Sequence, residues 1–251
     1  MNTNELSGKV AIVTGAGRNI GRAIALALAE GGASILVNAR SNRAEAEDVA
    51  REIDARGRKA AVHIGDVAEA GDVQAMADMA VRQFGRIDIL VNNAALRREK
   101  PFAEMSYAEW REIMNVTLDG AFHCVKACLP HLKKSGAGTI VNIGGLSAHT
   151  GARDRAHVVT AKAGIIGFTR ALAHDLAGDG ITVNCVVPGL IGTPRAKDKP
   201  EPAHHLIHQT IIGERGRPED VAAAVRFLCG GAARYINGQA IHSNGGAYLG
   251  S

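Results

Sequence analysis

Val10-Ala11-Ile12-Val13-Thr14-Gly15-Ala16-Gly17-Arg18-Asn19-Ile20-Gly21-Arg22 decides the fold. Short, mostly β-branched apolar residues make the first part a buried strand, and the glycines that follow let the chain turn sharply. Ile20 to Leu28 then reads as an apolar helix. A glycine-rich turn by itself can serve only to reverse the chain. Placed between a strand and a helix it does more, because the free N–H groups at the helix start attract an anion. The glycines also let a ligand approach the backbone. The phosphate of a dinucleotide is the expected occupant.

Outward from this stretch the same alternation repeats. Ala33 to Ala39 reads as a second strand, Ser41 to Arg56 as a polar-faced helix, and Ala60 to Ile64 as a third strand. A fourth apolar run begins at Ile87. Gly138 to Ile143, Gly180 to Val187 and Gln239 to Ser243 are further strands, with helices over about Tyr107 to Lys134 and Arg155 to Ala177. Strands alternating with helices predict an α/β fold, a doubly wound parallel sheet with helices on both faces and ligand at the carboxyl ends of the strands. The 251 residues, 46% hydrophobic, suit one domain spanning 1–251.

Composition narrows the function classes. The formal charge of +4 comes from Lys and Arg scattered among Asp and Glu, without the basic stripe of a nucleic-acid binder. No apolar run reaches membrane-spanning length, and Met1 to Lys9 is polar, unlike a signal peptide. Cys124, Cys128, Cys185 and Cys229 lack metal-knuckle spacing and read as small buried hydrophobes, sparse enough for a reducing compartment. A soluble, cytoplasmic protein acting on a small molecule is expected, with no metal, nucleic acid or membrane partner.

The end of the second strand bears on cofactor choice. A carboxylate there would bond the ribose hydroxyls of NAD and repel a 2′-phosphate, whereas this chain offers Ala39-Arg40, with Arg18 approaching from the glycine turn. Two guanidiniums favour phosphate oxygens, so NADP(H) is expected.

These motifs resemble the short-chain dehydrogenase/reductase family over nearly the whole chain, from Leu6 to about Gly246. Thr14, Gly15 and Gly21 match its Thr-Gly-x-x-x-Gly-x-Gly motif, with Asn19 at the middle glycine. Asn tolerates left-handed backbone better than other non-glycine residues. The resemblance implies a Rossmann-type fold and a cofactor site made by Gly15, Arg18, Asn19, Ile20, Gly21 and Arg40. It extends that site to Asp66 and Val67 by the adenine, to Asn93 and Ala94 within Asn92-Asn93-Ala94-Ala95, and to Pro188, Gly189 and Thr193 near the nicotinamide. Asp66 read by itself is equally a cap for the next helix. The paired asparagines read as ties between strands.

The family's chemistry uses an Asn, a Ser and a Tyr-x-x-x-Lys pair. Asn115 and Lys162 match the Asn and the Lys, but the Tyr position is Val158 and the Ser position is Gly145. The only tyrosines, Tyr107, Tyr235 and Tyr248, are too distant in sequence to restore the pair, while Ser147 stands two residues beyond the Ser position. An absent acid forfeits roughly 10²–10⁴ in rate on a simple ketone. Lys162 can still hold the nicotinamide ribose, and histidines are candidate replacement acids. These are His149 after the fifth strand, His157 on the helix, and His204, His205 and His208 in Arg195 to Gly213, part of an expected substrate lid over about 189–213.

Two readings follow. One is an NADP(H)-dependent oxidoreductase acting on an imine, an enone or another substrate needing little acid help. The other is a catalytically silent or non-redox, lyase-like or structural homologue. The resemblance also implies a homotetramer or dimer packed through the long helices, with Ala121, Phe122, Ala163, Ile166 and Phe168 as interface candidates and Tyr248 reaching a neighbour.

Overall fold

A computed structural model describes residues 4–193 and 209–250. Seven strands form one sheet: β1 Val10–Val13, β2 Ser34–Ala39, β3 Ala60–Ile64, β4 Ile89–Asn92, β5 Thr139–Ile143, β6 Thr182–Pro188 and β7 Ala240–Ser243. Their order is β3-β2-β1-β4-β5-β6-β7, and every neighbouring pair is parallel. The chain reverses direction of winding between β1 and β4, so a crevice opens at the carboxyl ends of those strands. All four residues of β1 and of β4 are buried, as continuous apolar runs in a sheet covered on both faces must be.

Helices α1 (Asn19–Glu30), α2 (Arg43–Ala55) and α8 (Pro218–Cys229) pack on one face, and α3 (Ala70–Phe84), α5 (Gly120–Ser135) and α7 (Ala156–Leu176) on the other. Each presents an apolar stripe to the sheet: Ile24 and Leu28 from α1, Val221 and Val225 from α8, Met76 and Ala80 from α3, Cys128 and Leu132 from α5. The four cysteines are buried and unpaired, the packing role expected of them. Local signals set the helix starts. Asn42 accepts a bond from the Glu45 N–H to open α2, and Ser106 with Glu109 forms a capping box for α4 (Tyr107–Met114).

The helix expected over Tyr107 to Lys134 is not uniform. It runs as α4, then a π-helical stretch Asn115–Asp119, then α5, with the Gly120 N–H bonded to the Asn115 carbonyl. Hydrophobic periodicity registers which face is buried but not a single inserted residue per turn, so sequence alone reads one helix.

Buried amides bind the sheet to α7. Asn92 on β4 donates to the Asn142 Oδ1 on β5 (2.8 Å), and Asn142 donates to the Thr169 Oγ1 on α7 (2.9 Å). Asn142 is fully buried, so an Asn142→Ala chain strands the Asn92 amide and takes from the Thr169 hydroxyl, which still donates to the Ile165 carbonyl, the bond it accepts. We expect a loss of about 1–3 kcal/mol, read as a lower urea midpoint with an unchanged slope.

Candidate functional site

The turn between β1 and α1 takes its shape from glycine. Gly15 sits at φ 61°, and Gly21 packs so closely that a Cβ there would lie 2.2 Å from the Gly15 carbonyl oxygen. Asn19 adopts φ 51°, the left-handed posture expected of it. Arg18 precedes α1 in extended conformation. Its side chain makes no capping bond, and no acidic residue occupies the first turn. The first N–H groups of α1 are therefore left to a ligand, on the positive end of the helix.

Three polar side chains hold this turn against neighbouring strands. The Thr14 hydroxyl accepts from the N–H groups of Asn93 and Ala94, both at 3.0 Å. Asn93 donates from Nδ2 to the carbonyls of Thr14 (2.8 Å) and Gly15 (3.0 Å). Asn38, 2% exposed within β2, accepts from the Gly15 N–H (3.3 Å) and donates to the Gly65 carbonyl (3.1 Å). The asparagine pair is thus structural, as its placement suggested. Asn38 escaped the sequence reading, although an Asn inside an apolar strand is the signal that marks it.

Beside the turn lies a cleft of about 630 Å³. Gly15, Arg18, Asn19, Ile20 and Gly21 line one part of it. Arg40, Asp66 and Val67 line another, and Asn93, Ala94 and Thr193 a third. Asp66 also accepts from the Ala68 N–H (3.0 Å), so it shapes the turn before α3 as well as facing the cleft. Glu45 and Arg97 belong to the lining too and were not anticipated. Pro188 and Gly189 are not among the residues lining this cleft. The Pro188 carbonyl accepts from the Leu146 N–H, and a Cβ on Gly189 would come within 2.6 Å of the Asn244 Cα, so glycine there serves the approach of the chain beyond β7.

Lys162, 7% exposed, projects from α7 and donates from Nζ to the Ile143 carbonyl at the end of β5 (2.6 Å). Burial, reinforced by the positive charges of Arg97 and Arg155 and opposed by Cys185, brings its pKa from 10.5 down to about 8. One turn earlier on α7, Val158 is packed with Ile113, Met114 and Ala161, against Leu96 and Trp110. Gly145 faces the lysine stem, where a Cβ would stand 3.6 Å from the Lys162 Cγ. Asn115 opens the π-helical stretch, and its Oδ1 accepts from Arg111 (2.7 Å), which also bonds Asp119. Such a stretch is a frequent mark of a functional position.

A family profile described as Enoyl-(Acyl carrier protein) reductase matches residues 15–248. The 3-oxoacyl-acyl-carrier-protein reductase FabG of Staphylococcus aureus is 39% identical over 242 residues, 96% of this chain and 98% of its own. The chain belongs to the short-chain dehydrogenase/reductase family. Among solved structures, a short chain dehydrogenase from Burkholderia cenocepacia in complex with NADP superposes with TM-score 0.90 and 35% identity, covering 97% of this chain and 99% of that one. A 7α-hydroxysteroid dehydrogenase complexed with NADH and 7-oxo glycochenodeoxycholic acid gives TM-score 0.92 and 34% identity, covering 98% of this chain and 97% of that one.

The histidines of this short-chain dehydrogenase/reductase fall in different places. His149, on the short helix α6 (Ser147–Thr150), stacks with His242 and Tyr248 at ring-centroid distances of 4.6 and 5.1 Å. Burial, then the nearby Arg170, lowers its pKa, so the ring is neutral near pH 7 and its contacts are with β7 and the segment after it. His157, 1% exposed, is likewise lowered by burial. His204, His205 and His208, with most of the expected lid, lie outside the described residues.

Lys162 gives a pH signature with a definite sign. Below about pH 8 the folded chain must keep a charged ammonium in a dry corner, whereas above 10.5 the group is neutral folded or unfolded. Stability therefore rises with pH across that window, by about 1.4 kcal/mol per unit of pKa difference. Cysteines such as Cys128 and Cys229, pushed up to about 12, act in the opposite sense above their ordinary value, in wild type and variant alike. The stability difference between wild type and Lys162→Met, followed by denaturant melts from pH 7 to pH 10.5, isolates the lysine. We expect wild type to gain on the variant as pH rises.

Proposed function

We propose that this chain is an NADP(H)-dependent oxidoreductase whose substrate needs little acid catalysis. One observation carries the reading: an uncapped helix start with two guanidiniums on a single cleft, and no carboxylate at the end of β2. Its residues fit the cofactor. The N–H groups at the start of α1 suit the pyrophosphate, Arg18 and Arg40 the 2′-phosphate, and Asp66 with Val67 the adenine. Lys162 suits the nicotinamide ribose, with Thr193 near the amide. The solved neighbours include one complex with NADP and one with NADH, so the preference rests on Arg18 and Arg40.

When bound, the cofactor would supply a hydride, which carries the electron pair. What the chain adds is position and charge, because Val158 and Gly145 carry no group able to give a proton. A conjugated C=C accepts hydride at its β-carbon and takes a proton at the α-carbon from water, so no phenol is needed there. An iminium, already positive, needs none at the reacting nitrogen. Asn115 and Lys162 are retained as the polar pair beside the reacting centre, Asn115 held by Arg111 and Lys162 by the Ile143 carbonyl. His149 is a weaker acid candidate, since its ring is neutral and engaged with His242 and Tyr248. Assembly as a homo-oligomer through α5 and α7 is supported by the exposed Phe122 and Ala163, while Ala121 and Ile166 are buried in the chain's own core.

Fluorescence titration separates the cofactors. We expect NADPH to bind more tightly than NADH. Arg18→Ala and Arg40→Ala should each cost NADPH about 1.5–3 kcal/mol of binding and NADH much less. Tighter binding of NADH overturns the cofactor assignment. Oxidation of NADPH, followed at its absorbance band across imines, enones and ketones, tests the chemistry. Silence on all three, with ketone reduction appearing in the Gly145→Ser, Val158→Tyr double variant, favours a silent cofactor-binding protein instead.

A further inference from the structure

A carboxylate stands in the cleft that Arg18 and Arg40 line. Glu45, in the first turn of α2, belongs to the same lining and reaches across to the glycine turn. A Cβ on Gly17 would stand 3.5 Å from the Glu45 Cβ and 3.7 Å from its Oε2. The Glu45 N–H donates to the Asn42 Oδ1 at 3.2 Å, which fixes the main chain there. Glu45 is half-buried, whereas Arg18 and Arg40 are exposed.

The other carboxylates of α2 are engaged away from the cleft. Glu47 pairs with Arg43, Asp48 with Arg51, and Glu52 with Arg22 and Arg56, while Asp54 accepts from the Ala60 N–H. Among the described residues Glu45 has no ion pair, and neither Arg18 nor Arg40 has one. Two cations and one anion therefore face a common open space without neutralising one another. An acidic residue in the first turn also suits the positive end of α2, but that role asks only for a charge and not for a place on the cleft wall.

A carboxylate at the end of the second strand accepts a ribose hydroxyl in sites for the unphosphorylated dinucleotide. Here that strand ends in Ala39 and is followed by Arg40, and Glu45 brings a carboxylate to the same wall from a different element. An ionised carboxylate accepts from hydroxyls, donates to nothing and repels a phosphate. Its effects on a 2′-hydroxyl and on a 2′-phosphate have opposite signs.

We propose that Glu45 is a specificity-determining residue: it accepts a ribose hydroxyl of the nucleotide and opposes a 2′-phosphate, so the preference is narrower than Arg18 and Arg40 alone would set. This deepens the NADP(H) reading and rests on it for the identity of the ligand.

Calorimetric titration of the full chain with NADP⁺ and NAD⁺, which differ only in the 2′-phosphate, measures that preference. At about pH 8 the phosphate carries nearly two negative charges. We expect Glu45→Gln to raise the ratio of NADP⁺ to NAD⁺ affinity about fivefold, NADP⁺ gaining and NAD⁺ losing. Salt at about 0.5 M should erode the gain of NADP⁺. Glu45→Asp keeps the charge but draws it back by one methylene, and its ratio should fall between those of wild type and Glu45→Gln. Glu47→Gln removes the same charge from α2 outside the cleft lining and should leave the ratio in place.

An unchanged ratio in Glu45→Gln, or an equal rise in Glu47→Gln, overturns the proposal. The cofactor reading is judged separately, by which nucleotide the wild type binds more tightly. A wild type that prefers NAD⁺, with a ratio that still rises in Glu45→Gln, overturns that reading and leaves Glu45 as a determinant. Binding of neither nucleotide overturns both.

Discussion

The contact between the Gly21 α-carbon and the Gly15 carbonyl is the constraint on which the site depends. No side chain fits between them, so α1 can start only where β1 ends, with its first N–H groups facing the crevice. Asn93 then bonds the carbonyls of Thr14 and Gly15 and Asn38 bonds the Gly15 N–H, leaving the turn little freedom. Buried amides without water must find partners, so these bonds define one position for the turn as well as stabilising it.

Around that fixed turn, burial and charge divide the cleft into two regions of different character. The end bounded by Arg18, Arg40 and Asp66 is open and polar, suited to the phosphates and adenosine of a long ligand. Beyond Leu96, which lines the cleft, Val158, Ile113 and Trp110 pack as an apolar cluster, and the ammonium of Lys162 lies in a setting that resists its charge.

Legibility followed the range of the forces involved. The strands and helices α1, α2 and α7 could be placed to within about two residues because their apolar period is local, whereas α3 and α8 were not read from the sequence. Asn19, read from its residue type as a bearer of left-handed backbone, has that conformation. Asn93 and Asp66 line the cleft, and the Thr14 hydroxyl ties Asn93 and Ala94 to the turn. The π-helical stretch at Asn115 was not legible, since one extra residue in a turn barely disturbs the pattern of buried positions. Nor was the engagement of His149 with His242 and Tyr248, which brings residues about ninety apart into one stack. Nor were the contacts of Pro188 with the Leu146 N–H and of Gly189 with Asn244.

The sequence by itself determined the doubly wound sheet and the glycine turn at its centre, because each is written in local pattern or residue identity. Only the tertiary structure decided that Arg97 and Arg155 act on Lys162, that Asn38 holds the turn, and that Gly189 answers to Asn244. Those relations join segments far apart in the chain. Their energies depend on burial and through-space distance, which no spacing along the sequence encodes.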